Sequence, residues 1–119
     1  MMFNDIMAED SAKQIRDKWN KVGIDVSYYA SKKNAVLSRL FVPKNMRNKG
    51  FAKQAMNEII SHADTYGLVI RLSPTSEWGA SKSRLINFYK KFGFVENKGK
   101  NRYFEISETM YRNPIQTEL

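Results

Sequence analysis

The segment from Arg47 to Ala52 carries the residues with the clearest chemical potential. It reads Arg-Asn-Lys-Gly-Phe-Ala and lies between an apolar run that ends at Pro43 and the start of a predicted helix. The first backbone N–H groups of a helix have no partner within it, and together with the helix dipole they attract a phosphate group. Gly50 lets an anion approach the backbone, while Arg47 and Lys49 add positive charge. The segment therefore predicts a phosphate-binding loop, although it is neither a Walker loop nor the three-glycine dinucleotide pattern.

Alternating helices and strands must position this loop. Apolar residues at helical spacing predict helices over Asn4–Val22, Gly50–Tyr66 and Ser81–Phe92. Alternating or continuous apolar runs predict strands over Ile24–Tyr29, Ala35–Val42, Leu68–Leu72, Phe94–Asn97 and part of Arg102–Arg112, with turns at Ser31–Asn34 and Asn97–Lys100. This order predicts an α/β fold of the α+β kind, a mixed sheet covered by helices, in one domain over residues 1–119.

Composition excludes several classes of site. The chain of 119 residues contains no cysteine, so disulfides, thiolate metal sites and a cysteine nucleophile are excluded. The single histidine, His62, cannot hold a metal alone and is expected at the surface, beside the polar face of its helix. No signal peptide or membrane span is recognisable, which predicts a cytoplasmic location without membrane contact. The net charge of +8 predicts an anionic partner: nucleic acid, a phosphorylated cofactor or an acidic protein.

Two motifs together resemble the GNAT superfamily of acetyl-CoA-dependent N-acetyltransferases. Residues 47–52 match its Arg/Gln-x-x-Gly-x-Gly/Ala signature between a strand and a helix. About 40 residues later, Leu85–Val95 resembles its second motif, an aromatic-Tyr-x-Lys-x-Gly-Phe helix exit. The resemblance covers roughly Ala35 to Val95. It implies a GNAT-like fold, shortened at its N-terminal end, with acetyl-CoA as co-substrate and direct attack by an amine on the thioester.

The resemblance also implies roles for individual residues. The strand end at Leu40, Phe41 and Val42 would lie beside the pantetheine arm. Arg47, Asn48, Lys49, Gly50, Phe51 and Ala52 would hold the pyrophosphate. Tyr89 matches the family's general acid to the departing thiolate. Ser81 or Ser83 would contact the cofactor where the family often has Asn.

This sequence also departs from the family pattern. Many members carry a glutamate base on the strand before the phosphate loop, where this chain has Ser38 or Arg39. Glu77, Glu105 and Glu108 are alternatives, as is water, and the base stays unassigned. Because one helix alone precedes the first hairpin, the acceptor site is expected to be open or completed by a second subunit in a homodimer. The acceptor is a protein lysine or N-terminus, a small amine or an aminoacyl-tRNA, with positive charge favouring an acidic or nucleic-acid-associated substrate.

Two further interpretations compete with acyl transfer. The fold could bind acyl-CoA or a protein partner without turnover. Alternatively, Lys90–Asn97 approaches the core of an RNA-recognition motif, but it has Lys91 where glycine belongs and Asn97 where an aromatic belongs. That motif must also lie on a central strand, whereas Phe92 is predicted to end a helix.

Overall fold

A mixed five-stranded sheet with three α-helices forms the described part of the chain. The computed structural model describes residues 2–75 and 81–115. The helices are α1 (Met2–Lys21), α2 (Phe51–Tyr66) and α3 (Lys82–Lys90); the strands are β1 (Asp25–Ser31), β2 (Asn34–Phe41), β3 (Val69–Leu72), β4 (Val95–Glu96) and β5 (Met110–Arg112). Short 3-10 turns span Lys44–Met46 and Gly99–Asn101. The order across the sheet is β1-β2-β3-β5-β4, with β2 and β3 parallel and the other neighbours antiparallel. The predicted fold class is therefore confirmed.

The core lies between the sheet and the helices. The sheet contributes Tyr28 and Ile70, both fully buried, and α2 contributes Met56 and Ile59. These side chains come from the apolar stripe of α2 and from alternate positions of the strands, as their spacing predicts. None of the described helices combines the length and the apolar character that crossing a membrane requires.

The prediction that His62 lies at the surface is wrong. Its side chain is 7% exposed and joins three elements by hydrogen bonds. His62 Nε2 lies 2.7 Å from the carbonyl oxygen of Ala8 on α1, and Nδ1 lies 2.8 Å from the hydroxyl of Tyr28 on β1. Because a carbonyl can only accept, Nε2 carries the proton and Nδ1 accepts from the tyrosine. Burial lowers the pKa of His62 from its ordinary value, so the ring stays neutral at pH 7.

Polar side chains of α1 cover the free edge of the sheet. In the described sheet, β1 is an edge strand that pairs with β2 on one side. Every second residue of β1 therefore points its backbone N–H and C=O groups away from β2. Asn20 Oδ1 accepts from Val26 N (2.8 Å), Arg16 Nη1 donates to Tyr28 O (2.7 Å), and Glu9 Oε2 accepts from Ala30 N (2.6 Å). An ion pair of 2.8 Å joins Arg16 and Glu9. These three side chains thus replace the hydrogen bonds that another strand would make.

The prediction that Asn97–Lys100 forms the turn between the last two strands is wrong. Strands β4 and β5 pair through Val95 with Tyr111 and Glu96 with Met110, so their connection runs over residues 97–109. We call this segment the β4–β5 loop. The side chain of Asn97, 5% exposed, bonds to backbone groups within the loop and so replaces the short turn.

Candidate active site

The candidate site is a cleft that opens where β2 and β3 separate. The two strands pair at three positions, from Asn34 with Val69 to Val36 with Arg71. Beyond that point β2 continues along β1 and β3 along β5, so the sheet divides between them. A cavity of about 500 Å³ lies in this gap, within the range typical of small-molecule sites. Its described walls come from four parts of the chain. They are residues 37–41 of β2 with Val42 after it, Leu72 of β3 with residues 73–75 after it, part of the 47–52 segment, and one side of α3.

The loop before α2 has an unusual backbone. Asn48 and Gly50 both adopt left-handed conformations, with φ of 65° and 79°. Asparagine tolerates this region better than most residues, and glycine adopts it freely. Left-handed residues within a turn direct successive backbone N–H groups inward, which forms a concavity suited to anions. A Cβ added to Gly50 would meet no atom within 4 Å, so the space beside the backbone is open there.

The N-terminus of α2 is left without a side-chain cap. Gly50 is its N-cap, no described side chain accepts a hydrogen bond from its first turn, and that turn contains no acidic residue. In α3, by contrast, the hydroxyl of Ser81 accepts from the backbone N–H of Arg84 at 3.2 Å. The first amides of α2 are therefore available to an external acceptor, while one amide of α3 is satisfied by its own cap.

The described walls of the cleft carry three arginines and no carboxylate. The arginines are Arg39, Arg47 and Arg84, one each from β2, the loop and α3. The Nε of Arg47 donates to the carbonyl of Val42 at 2.9 Å, and its guanidinium carbon lies 5.7 Å from the ring centre of Phe41. These contacts hold the guanidinium beside the end of β2. Arg39 forms an ion pair with Asp25, so the positive potential of these walls comes mainly from Arg47 and Arg84, and it favours an anionic ligand.

Tyr89 faces the cleft from the last turn of α3. Its side chain is 8% exposed and packs edge-on against Phe88 and Phe94, with ring centres 5.3 and 5.7 Å away. No residue that the structure describes forms a hydrogen bond with its hydroxyl. Burial raises the pKa of Tyr89 to about 12, so the group is a proton-bearing donor throughout the neutral range.

The predicted site residues fall into two groups. Those that line the cleft are Leu40, Phe41, Val42, Arg47, Asn48, Ala52 and Tyr89. Lys49 and Gly50 are exposed in the loop beside it, and Phe51 packs edge-on against Trp19 at 6.3 Å. Ser81 caps α3 and Ser83 is exposed, and neither lines the cleft.

Several wall residues were missed by sequence reasoning. Arg84, Leu85 and Phe88 share the cleft wall with Tyr89. Their spacing of three and four residues along one helix could have identified them once Tyr89 was placed in the site. Thr75 lines the cleft after β3 and had no comparable signal.

The candidate general bases do not converge on Tyr89. Ser38 and Arg39 line the cleft, as their position on β2 predicts. Glu108 pairs with Arg71 at 3.6 Å outside the cleft walls, and Glu105 is exposed on the β4–β5 loop. Glu77 lies outside the described residues. The described walls of the cleft thus include the protonated hydroxyl of Tyr89 but no carboxylate.

Comparison with known proteins adds independent information. Residues 4–109 match the family model described as acetyltransferase (GNAT) domain. The crystal structure of Ard1 from Thermoplasma volcanium is similar at a TM-score of 0.53 and 28% identity, covering 78% of this chain and 62% of that one. Arabidopsis thaliana Naa50, in complex with the bisubstrate analogue CoA-Ac-MVNAL, is similar at a TM-score of 0.49 and 21% identity, covering 74% and 59%. The chain thus spans about 60% of the length of these two structures. No curated protein matches the sequence.

Proposed function

This chain belongs to the GNAT acetyltransferase family, and on that premise we propose that it transfers an acetyl group from acetyl-CoA to an amine. The observation that carries the proposal is the uncapped N-terminus of α2 beside a cleft whose described walls bear arginines and no carboxylate. Acetyl-CoA is an anionic ligand with a pyrophosphate and a long, uncharged pantetheine arm that carries two amide groups. A helix terminus suits the first feature, and a gap between two strands suits the second.

The residues support a division of labour along the cleft. The amides at Gly50–Lys53 and the guanidinium of Arg47 would bind the pyrophosphate. Leu40 and Phe41 at the end of β2, and Val42 after it, lie where sheet pairing with β3 has stopped, which leaves this edge available to the pantetheine amides. Ser81 and Ser83 lie at the start of α3 outside the described cleft walls, so they would contact only a part of the ligand that extends to that end of the helix. This arrangement would hold the thioester near Tyr89 and reduce the entropic cost of reaction.

The chemical step needs no covalent enzyme intermediate. The lone pair of the amine attacks the thioester carbonyl, the carbon–sulfur bond breaks, and the acetylated nitrogen loses one proton. Tyr89 is protonated at neutral pH and would give its proton to the departing thiolate, then recover one from solvent. Because no carboxylate lines the described cleft, water would accept the proton of the amine. The acceptor is an amine of a protein, a small molecule or an aminoacyl-tRNA.

Calorimetric titration of acetyl-CoA into the parent and into Arg47→Glu tests the proposal. Losing a charge-assisted hydrogen bond costs about 1.5–3 kcal/mol, so the variant should bind roughly tenfold to a hundredfold more weakly. Lys32→Glu is a matched control, because it makes the same charge change in the turn at the other end of β2. The control should bind as the parent does. Failure of the folded parent to bind acetyl-CoA would contradict the proposal.

A domain that binds acyl-CoA without turnover is the second candidate function. It is favoured by the lack of a carboxylate base among the described cleft residues. It predicts tight acetyl-CoA binding without release of free CoA in the presence of any amine. The presence of Tyr89 at the cleft favours turnover instead, and measuring free CoA distinguishes the two.

A further inference from the structure

The inner end of the cleft is closed by two leucines. Leu37 of β2 and Leu72 of β3 both line the cleft, although their side chains are only 3% and 2% exposed. The last paired position of the two strands is Val36 with Arg71, so these leucines are the first residues beyond it. We call Leu37 and Leu72 together the leucine floor, because they lie where the strands begin to separate.

An irregularity in β2 fixes the depth of the leucine floor. Leu37 pairs with Tyr28 of β1, and the next paired position is Arg39 with Ser27. Ser38 is therefore an extra residue between two paired positions, and a bulge of this kind bends its strand. The bend follows Leu37 directly, at the position where β2 leaves β3. The strands therefore separate at one defined point, and the floor lies there.

Large buried residues lie beside the leucine floor on both sides. Within the sheet, Tyr28 pairs with Leu37, and Met110 of β5 pairs with Leu72. Side chains at paired positions are neighbours on one face of the sheet. Tyr28 and Met110 are both buried, and all four side chains belong to one core cluster. Because such a core is close-packed, the leucines cannot move aside without displacing their neighbours.

The acyl end of the ligand would reach the leucine floor, and this step rests on the proposed function. The proposed pyrophosphate site at residues 47–52 lies beyond the other end of this part of β2. Residues 37–42 extend for roughly 16 Å at the rise of a β-strand. An extended pantetheine arm that follows this edge is long enough to carry its thioester inward. The acyl group, which lies beyond the thioester, then meets the floor.

We propose that the leucine floor limits the length of the transferred acyl group, so that the cleft accepts acetyl and excludes groups as long as butyryl. The methyl group of acetyl contacts the apolar floor. Two further methylene groups need space that the leucine side chains already fill, and overfilling an apolar site is unfavourable. The acyl preference thus follows from two residues of the sheet, outside the loop proposed to bind pyrophosphate.

The wall that α3 contributes offers a different route for a longer acyl group. Leu85 and Phe88 line the cleft and are partly buried against the core. An acyl chain that turned along them would leave the leucine floor untouched. The floor is favoured because the edge of β2 that the pantetheine arm follows leads directly to it.

Calorimetric titration of acetyl-CoA, butyryl-CoA and free CoA into the full chain tests this proposal without an acceptor. A misfit of one methylene group in an apolar site changes discrimination roughly tenfold or more, so the parent should bind butyryl-CoA at least about tenfold more weakly than acetyl-CoA. Leu72→Ala should reduce this difference to less than about threefold, because it opens the floor by more than one methylene group. Free CoA has no acyl group and should bind equally to both proteins.

Leu68→Ala is the matched control. Leu68 is also a buried leucine, directly before β3, but it is not among the described walls of the cleft. The control should lose stability as other buried leucines do and should keep the preference for acetyl-CoA. If Leu72→Ala does not fold, Leu72→Val, whose side chain suits a strand, makes the same test with propionyl-CoA and should bind it more tightly, relative to acetyl-CoA, than the parent does. Thermal melts monitored by circular dichroism verify that each variant is folded.

The outcomes separate this proposal from the proposed function. Equal binding of acetyl-CoA and butyryl-CoA by the parent would overturn the acyl-length limit and leave the proposed function intact. An unchanged difference in folded Leu72→Ala, or an equal change in Leu68→Ala, would also overturn it. If Leu85→Ala removes the difference and Leu72→Ala does not, the acyl group lies along α3 instead. If the parent binds neither the acyl-CoAs nor free CoA, the proposed function fails, and the acyl-length limit fails with it.

Discussion

Replacing Tyr89 with phenylalanine isolates one hydroxyl group of the proposed mechanism. The ring would keep its edge-on contacts with Phe88 and Phe94, at 5.3 and 5.7 Å. The hydroxyl has no hydrogen-bond partner among the described residues, so its removal breaks no protein contact. We therefore expect the free energy of unfolding to change by less than about 0.5 kcal/mol.

The expected loss of activity is much larger than the loss of stability. A positioned acid contributes about 10²- to 10⁴-fold to rate, which corresponds to roughly 3–5 kcal/mol of barrier. The loss should appear in kcat, while the affinity for acetyl-CoA stays within about threefold, because pyrophosphate binding is independent of this hydroxyl. With the pKa of Tyr89 at about 12, the group is protonated from pH 6 to 9, so the substitution should not change the shape of the pH–rate profile there.

Release of free CoA, followed with a thiol-reactive chromophore and a panel of peptides with free α-amines, measures the rate. Calorimetry measures binding of acetyl-CoA in parallel. Tyr66→Phe is the matched control, since its hydroxyl lies 3.4 Å from Ser11 Oγ and it does not line the cleft. Unchanged kcat in Tyr89→Phe, or an equal loss in Tyr66→Phe, would refute the assignment of Tyr89 as the acid.

Three other substitutions or conditions test the structure. Arg112→Leu should lower the free energy of unfolding by roughly 2–3 kcal/mol in urea titrations, because it removes the ion-pair partner of Asp64. Adding Asp64→Asn to this variant should restore part of the lost stability. The folded pKa of His62 lies below that of the unfolded chain, near 6.5, so the unfolded state takes up the proton first. The free energy of unfolding should be retained above pH 6.5 and should fall by up to about 1.4 kcal/mol per pH unit below it. Urea titrations between pH 6.5 and 5.5 measure this fall. If His62→Gln shows the same fall as the parent, protonation of His62 is not its cause. Gly50→Ala should lower the free energy of unfolding by about 1–2 kcal/mol, because Gly50 has a φ of 79°. It should also weaken acetyl-CoA binding measured by calorimetry. Equal binding by the variant would show that acetyl-CoA does not approach the backbone at this position.

The ion pair behind the Arg112 prediction joins the last turn of α2 to β5. Arg112 is 4% exposed, and its guanidinium bonds to both carboxylate oxygens of Asp64 at 2.8 and 3.2 Å. Burial alone would raise the pKa of Asp64, but the hydrogen bonds from Arg112 and from the backbone N–H of Ile115, together with the charge of Arg112, outweigh it and hold the pKa below its ordinary value. The stability from this pair is therefore present above the unfolded pKa of Asp64 and is lost as the pH falls through its folded pKa.

The sequence alone determined the elements whose signals are local. The helical spacing of apolar residues predicted α2 to within one residue, and Gly67 after it adopts the left-handed conformation that helix C-termini favour. The phosphate site proposed at Arg47–Ala52 stays a prediction that needed only neighbouring residues, since such a site forms at a helix N-terminus. The role proposed for Tyr89 is likewise a prediction, drawn from a motif contained within one helix and its exit.

Contacts between distant residues decided the rest. The burial of His62 depends on Ala8 and Tyr28, 54 and 34 positions away, and its own helix pattern carried no sign of them. The capping of the sheet edge by α1 depends in the same way on polar side chains that look like an ordinary solvated face. The cleft itself arises because β2 and β3 share only three paired positions, a register that sequence periodicity does not specify. Local patterns fix which residues form a helix or strand, whereas packing between elements decides which of those residues meet at a site.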